Sequence, residues 1–172
     1  THPASFRLYL WRRFIARLPL PLKNFHYLDG SADPEKTIFE ANDTISKYPI
    51  DLAFIGIGEN GHIAFNDPPA DFKTKSAYII VNLDHACRMQ QFGEGWFKTI
   101  DEVPTQAISM SVNKILQSRN IICTVPDKRK ADAVYNTINK EINPMYPSTI
   151  LRKHDNLTLF LDRDSASRID VK

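Results

Sequence analysis

Residues 51–68 read DLAFIGIGENGHIAFNDP, and this stretch decides the fold class. Its first five residues form a mostly apolar run that predicts a buried strand. Three glycines follow and let the backbone turn tightly and approach a ligand closely. His62 and Asp67 then stand five residues apart. A strand that ends in glycines and carries these two groups to its carboxyl edge predicts an active-site loop of an α/β enzyme.

Helical and strand-like segments alternate along the rest of the chain. Helices are predicted over 5–17, 33–48, 84–93, 112–117, 127–138 and 148–153, and strands over 24–28, 51–58, 77–83, 107–111, 120–125 and 157–161. Strand–helix alternation at this spacing predicts a mostly parallel sheet covered by helices. The predicted fold class is therefore α/β, a three-layer, mostly parallel Rossmann-like sheet flanked by helices, formed by one domain over residues 1–172.

The overall composition is that of an ordinary globular protein. Hydrophobic residues make up 42% and charged residues 24% of the chain, and the formal net charge is +2. So small a charge predicts neither a nucleic-acid nor a membrane partner, and the basic residues at 12–17 and 128–130 are local clusters. No apolar stretch approaches the roughly 18 residues that a membrane span needs.

The two cysteines, Cys87 and Cys123, have no metal-type spacing and are interpreted as packing residues of a helix and a strand. Nothing indicates a disulfide scaffold and no secretory signal is visible, so the predicted location is the cytoplasm. The sequence also lacks C-x-x-C, H-E-x-x-H or clustered histidines, and no metal site is predicted.

Gly56, Gly58 and Gly61 formally satisfy the dinucleotide fingerprint G-x-G-x-x-G after a strand. That fingerprint requires the third glycine to enter a helix, but Pro68-Pro69 follows too soon for a helix to form. Asp84, the nearest candidate for the acidic residue expected about 20 residues further on, lies too far along. The sequence therefore disfavours a nicotinamide cofactor, and no cofactor is predicted.

His62 is the histidine that the glycine-rich context singles out for chemistry. Histidine side chains can move protons at working pH, and the carboxylate of Asp67 could orient the imidazole. Asn60 can hydrogen-bond but cannot act as a base. The alternative is a structural histidine bonded to backbone carbonyls, and the glycines with the flanking acid favour the functional interpretation. The remaining histidines at 26, 85 and 154 are interpreted as surface or packing residues.

A second ligand position is predicted after strand 120–125, where residues 126–130 open a helix. The start of a helix presents free N–H groups and a partial positive charge, which favour an anion such as phosphate. Lys130, about one turn into the helix, would add a point charge. The residue types alone favour the alternative, a solvated helix whose lysines contact no ligand.

The segment GIGENGHIAFNDP resembles the signature G-x-G-x-[DN]-G-H-I-[AG]-F-N-E-P of the glucosamine-6-phosphate deaminase/isomerase family. Further motifs of that family are similar to residues 1–6, 105–111, 130–134 and 147–154. The similarity runs in order along nearly the whole chain. It implies the conversion of glucosamine 6-phosphate and water to fructose 6-phosphate and ammonia, a step of amino-sugar metabolism.

The resemblance also implies roles for individual residues. His62 would assist opening of the sugar ring, held by Asn60 and Asp67 in place of the family's two acids. Lys130 would hold the sugar phosphate, which reverses the interpretation from its residue type alone. Gly56 and Gly58 would offer backbone contact to the substrate, completing the predicted substrate-binding set with Lys130.

Parts of the family pattern have no counterpart in this sequence. A Gly-Gly-Ser/Thr phosphate loop and the Asp-Glu pair that supplies the base for the C2 proton would lie upstream of Thr1. The family's second phosphate-binding arginine is also missing, since Gln91 stands near its place and Arg88 precedes it. The resemblance thus implies a member without its N-terminal strands and phosphate loop, weakly active or inactive as given.

Two alternatives stay open at this point. One is a 6-phosphogluconolactonase-type hydrolase, although the Ile-Ala-Phe-Asn that follows His62 differs from the Thr-Ala-Ser-Leu-Phe-Pro expected there. The other is a non-catalytic sugar-phosphate-binding protein, suggested by the missing base. A small-molecule sugar phosphate is the predicted partner in each case, and the sequence leaves a homo-oligomer open.

Overall fold

The computed structural model describes residues 3–169, and the alternation of segments becomes an alternation of strands and helices. The α-helices are α1 Phe6–Arg13, α2 Pro34–Ser46, α3 His85–Gly93, α4 Val112–Leu116 and α5 Ala131–Asn139, with 3₁₀ turns at Ile15–Arg17, Ile100–Glu102, Lys128–Lys130 and Pro147–Lys153. The strands are β1 Leu52–Ile55, β2 Tyr78–Asn82, β3 Gln106–Met110, β4 Asn120–Val125 and β5 Leu157–Leu161.

Three of these strands form a parallel sheet with β4 between β1 and β5. Phe54 of β1 lies opposite Ile122 of β4, and Ile122 lies opposite Thr158 of β5. Because the strands are parallel, β1 and β4 end at the same edge of the sheet. The loops that follow them, 56–68 and 126–130, therefore start side by side.

The other two strands form a separate antiparallel pair. Ile80 of β2 lies opposite Ile108 of β3. Each strand of the pair is followed by a helix whose first turn is capped: α3 follows β2, and α4 follows β3. Asp84 before α3 accepts a hydrogen bond from the Cys87 amide, and Ser111 before α4 accepts one from the Lys114 amide. This pair positions α3 against the loop 56–68.

One face of the parallel sheet carries the core. Ile121, Cys123 and Val125 of β4 are fully buried and pack with Val134 of α5 and Leu151 of the last 3₁₀ turn. Side chains on a strand alternate between faces, so their neighbours in sequence point to the other side. The core is therefore built on alternate positions of the strands.

The opposite face of the same sheet is open. Phe54 is 72% exposed, and Phe160 is 54% exposed. The sequence predicted a buried strand at 51–55, and this prediction is wrong in detail, because β1 has exposed and half-buried residues in alternation. Among residues 3–169, β1 pairs with β4 alone and is covered on one face, which explains why its residues are less buried than predicted.

The predicted α/β class, with a Rossmann-like parallel sheet flanked by helices, is confirmed. Five of the six predicted strands form, and the predicted helices appear as α-helices or 3₁₀ turns. The strand predicted at 24–28 is wrong. Phe25 and Tyr27 pack their rings edge to face instead, with centroids 5.0 Å apart, and the segment lines a groove beside α2.

Two further predictions concern the family motif at residues 1–6 and membrane-spanning segments. Of the motif at residues 1–6, residues 1 and 2 lie outside the described part, and Phe6 begins α1. Within residues 3–169, no helix combines the length and the apolar character needed to cross a membrane.

Candidate active site

The loop 56–68 folds back on itself directly after β1. Gly61 has φ of +87°, and its amide donates to the Gly58 carbonyl at 3.0 Å. The amide of Gly58 donates in turn to the His62 carbonyl at 2.9 Å. This turn lays the His62 imidazole against Gly58, where an added Cβ would lie 2.2 Å from Cε1 of the ring. A glycine is needed at 58 because the ring occupies the place of a side chain.

The dinucleotide alternative is excluded by the same loop. Residues 56–68 contain no helix. Without a helix after Gly61 there is no helix N-terminus to hold a pyrophosphate in the manner of the fingerprint.

Asn66 fastens the loop to β3. Its buried side-chain amide donates to the Ile63 carbonyl at 2.9 Å and to the Met110 carbonyl at 2.8 Å. The Phe65 amide donates to Oγ of Ser109 at 3.0 Å. These bonds fix the part of the loop between His62 and Asp67, so the two side chains have little freedom to separate.

His62 and Asp67 form a buried pair. Nδ1 of His62 lies 3.0 Å from Oδ1 of Asp67, and their side chains are 10% and 4% exposed. The separation is that of a hydrogen bond, although the ring N–H does not point in line with the oxygen. Because Nδ1 is the ring nitrogen that lies against the Asp67 carboxylate, Nε2 is the ring atom left to meet a substrate.

Asn60 supports this pair without touching the ring. Its Nδ2 donates to Oδ1 of Asp67 at 2.9 Å and to Oδ2 of Asp84 at 3.0 Å, and its Oδ1 accepts from the His62 amide at 3.0 Å. An amide can donate to both carboxylates at once, whereas a carboxylate at position 60 would repel them. Asn60 therefore holds the backbone of His62 and the side chain of Asp67 in one arrangement.

Asp84 is a member of the site that the sequence did not single out. Its amide donates to Oδ2 of Asp67 at 3.0 Å, and its Oδ1 accepts from the Cys87 amide at 2.6 Å. The sequence placed Asp84 only at the first position of a predicted helix and as a poor match to the dinucleotide fingerprint. Its position at the end of a predicted strand was the available signal, since ligands and catalytic groups gather at such ends.

The electrostatics of the pair favour an ionised Asp67. Burial by itself would raise the pKa of Asp67, but the contacts from His62, Asn60 and the Asp84 amide lower it overall. The pKa of the Cys87 thiol shifts upward instead. Burial and the nearby carboxylates of Asp67 and Asp84 raise this pKa to about 12.

Cys87 is a packing residue, as predicted, but it packs against the site. It is 1% exposed in the first turn of α3. Its Sγ, a ring nitrogen of His62 and a carboxylate oxygen of Asp67 all lie within 4.8 Å of one another. A thiol, an imidazole and a carboxylate that converge in this way are the donor set of a transition-metal site.

Lys130 lies at the second loop of the same sheet edge. It is half-buried, and burial lowers its pKa while the carboxylates of Glu59 and Glu94 act in the opposite direction. Glu59 belongs to the loop 56–68 and also pairs with Arg129, with Nη1 and Oε1 3.4 Å apart. Lys130 is therefore a partly desolvated cation beside the His62 loop, unlike the solvated lysine of the alternative interpretation.

Gly56 has a packing role in the structure. A Cβ added to it would lie 3.4 Å from the Thr124 carbonyl oxygen, so the glycine lets the loop leave the sheet close to β4. Its predicted contact with substrate, like that of Gly58, stays a prediction. A groove of about 1080 Å³ between residues 23–29 and α2 is lined by none of the predicted site residues.

Comparisons with known proteins extend this picture. Residues 1–160 match the family described as glucosamine-6-phosphate isomerases/6-phosphogluconolactonase. The chain is 35% identical over 167 residues to a glucosamine-6-phosphate deaminase of Clostridium novyi (strain NT), covering 96% of this chain and 68% of the relative. A solved structure of a monomeric glucosamine-6-phosphate deaminase superposes with a TM-score of 0.87 at 31% identity, over 96% of this chain and 68% of the other. A 6-phosphogluconolactonase from Trypanosoma brucei has the same fold, with a TM-score of 0.63 at 16% identity over 84% of this chain and 57% of the other.

Fold and site together define an α/β protein of the Rossmann-like class with a histidine–carboxylate pair at the carboxyl edge of its parallel sheet. Within that class the matches are specific. The chain belongs to the glucosamine-6-phosphate isomerase/6-phosphogluconolactonase family, and the family predicted from the sequence motifs is thereby confirmed.

Gly58→Ala is expected to destabilise the fold, because its methyl group would overlap the His62 ring. Overpacking of this kind costs about 1–3 kcal/mol, to be measured as the free energy of unfolding in urea. Gly30→Ala is the matched control, since nothing lies within 4 Å of a Cβ placed there. Equal effects of the two substitutions would contradict the packing of His62 on Gly58.

Asp67→Asn is expected to destabilise most at neutral pH, because an amide at 67 would face the donors of Asn60 and Asp84. A carboxyl whose pKa is lowered by folding stabilises the protein above its unfolded value of about 3.9. That contribution is lost as the pH falls through the folded pKa of Asp67. The difference in unfolding free energy between wild type and variant should therefore shrink below about pH 4. A difference that is constant between neutral and acidic pH would show that Asp67 is not held ionised.

Proposed function

We propose that this chain carries the ring-opening and phosphate-holding part of a glucosamine-6-phosphate deaminase, which converts glucosamine 6-phosphate and water to fructose 6-phosphate and ammonia. The observation that carries the proposal is the buried His62–Asp67 pair, set by a glycine turn in a chain that is 35% identical to a named deaminase. Residues 1–172 are proposed to form one domain of this family, supported by the match over 1–160.

His62 is proposed to move the proton that ring opening requires. Asp67 faces Nδ1 and is an acceptor when ionised, so it favours the tautomer with the proton on Nδ1. Nε2 can then take a proton from the anomeric hydroxyl and return it to the ring oxygen as the C1–O bond breaks. The open-chain amino aldehyde that results is the species in which C1 and C2 can exchange a proton and from which the amine can leave.

Asn60 is proposed to act on this step through the position of the pair. Its three hydrogen bonds keep the His62 backbone and the Asp67 carboxylate in register. A general base must be held within hydrogen-bonding distance of the proton that it takes, so a shift of the loop would reduce turnover.

Lys130 is proposed to anchor the substrate phosphate, with Gly56 and Gly58 as neighbouring backbone contacts. Support comes from the parallel alignment of β1 and β4, which brings both loops to one edge, and from the partly desolvated ammonium group.

The carboxylate that removes the C2 proton is proposed to lie outside residues 1–172. A cytoplasmic location belongs to the same proposal and is supported by the free thiols of Cys87 and Cys123.

In a protein extended upstream to the length of its relatives, His62→Gln is expected to abolish ammonia release from glucosamine 6-phosphate while leaving the fold intact, because glutamine cannot accept and return the proton. Ammonia is measured with a coupled enzymatic assay, and circular dichroism checks the fold. His26→Gln, on an exposed side chain, is the control and should keep full turnover. Undiminished turnover in the His62 variant would refute its role. A protein extended upstream to the length of its relatives that binds the sugar phosphate yet releases no ammonia would favour a binding protein over an enzyme.

Lys130→Ala is expected to raise KM by about tenfold or more with a smaller change in kcat, because a phosphate contact made equally in substrate and transition state affects binding alone. Lys128→Ala, two residues earlier and exposed, is the matched control and should leave KM unchanged. A fall in kcat at constant KM would assign Lys130 to the chemical step instead of phosphate anchoring.

A further inference from the structure

Cys87 brings a third type of metal ligand to the His62–Asp67 pair. The Asp84 cap fixes the first turn of α3, and the amide of the same residue donates to Asp67. Both bonds hold Cys87 beside the loop. The three ligand atoms are buried and lie within 4.8 Å of one another. Bonds of about 2.0–2.3 Å to a tetrahedral zinc ion place ligand atoms about 3.3–3.8 Å apart, so the widest pair needs to close by only about 1 Å.

A second observation points to a ligand at this position. Nδ1 of His62 is buried and has no in-line hydrogen-bond partner, although it lies 3.0 Å from Asp67. The two atoms are about 0.3 Å closer than two nitrogen and oxygen ligands of one zinc ion, so this pair has to open slightly when the ion binds. The cluster also has an excess of negative charge, since the carboxylates of Asp67 and Asp84 both act on Cys87.

We propose that His62, Asp67 and Cys87 form a binding site for a borderline-soft divalent cation of the Zn²⁺ type, occupied in competition with catalysis. Sulfur and nitrogen donors select such ions over Mg²⁺ and Ca²⁺, which prefer oxygen alone. The thiolate and the carboxylate among the ligands offset the two charges of the ion within a buried site. The sequence could not show this set, because its members are 5 and 20 residues apart on a loop and a helix.

The protons move as follows when the ion binds. The Cys87 thiol releases its proton to solvent, since a coordinated thiol is deprotonated by the metal. The imidazole exchanges its Nδ1 proton for the ion and carries a proton on Nε2 instead. An Nε2 that already holds a proton cannot accept one from a sugar hydroxyl, so the bound ion inhibits turnover. The inhibition rests on the proposed function, whereas the binding of the ion does not.

Co²⁺ is the probe for binding, because a thiolate ligand gives the ion an intense charge-transfer band in the near ultraviolet. Chelator-treated wild-type chain is expected to show this band at one ion per chain, and Zn²⁺ should displace Co²⁺. Cys87→Ala should lose the band and bind Zn²⁺ at least 100-fold more weakly, since even changes behind the first ligands cost about 10–100-fold. Cys123→Ala is the matched control, because Cys123 is equally buried in β4. Cys87→Ser tests the thiol at constant size if the alanine variant is unstable.

Absence of a thiolate band in wild type, or a band that persists in Cys87→Ala, would overturn the proposal. The second arm compares turnover with and without Zn²⁺. The ratio should fall in wild type and in Cys123→Ala, and stay near one in Cys87→Ala or Cys87→Ser. Equal inhibition of all four proteins would place the inhibitory ion elsewhere and overturn the proposal. The turnover arm uses a protein extended upstream to the length of its relatives. If this protein, after chelator treatment, releases no ammonia, the proposed function fails, and the cobalt band still decides whether the site binds metal.

Discussion

Nδ1 of His62 and Oδ1 of Asp67 lie 3.0 Å apart inside a loop that leaves neither side chain free to move away. The rest of the site is arranged around this contact. Asn60 and the Asp84 amide occupy further positions on the carboxylate, which keeps it ionised despite its burial. An acceptor in that state determines which ring nitrogen carries the proton and which one faces the substrate.

The backbone makes this arrangement by a turn that glycine favours. Gly61 takes a positive φ, and Gly58 leaves the space that the imidazole fills. Asn66 then fastens the loop to β3, so two sheets meet at the site. The parallel alignment of β1 and β4 places Lys130 at the same edge. The glycine turn therefore places His62, and the sheet topology places Lys130, at the same edge of the parallel sheet.

Sequence periodicity was sufficient for most of the fold, because strands and helices impose different spacings on apolar residues. It failed at 24–28, where aromatic side chains pack on each other without a neighbouring strand, and it overestimated the burial of β1. His62 and Asp67 were predictable because five residues of one loop separate them. The contacts of Asp84 and Cys87 with this pair were not, because they depend on how α3 docks against that loop, although the place of Asp84 at the end of a predicted strand was a signal. Contacts between distant segments leave little trace in a single sequence.

The tautomer of His62 is the most direct measure of the central claim, that Asp67 fixes the imidazole for proton transfer at Nε2. Long-range ¹H–¹⁵N correlation spectra of the histidine side chains report which ring nitrogen is protonated, and comparison with His62→Gln assigns the signal. In chelator-treated protein, the account predicts that the neutral form of the ring carries its proton on Nδ1 and has a bare Nε2. A neutral ring with its proton on Nε2 and a bare Nδ1 would contradict it.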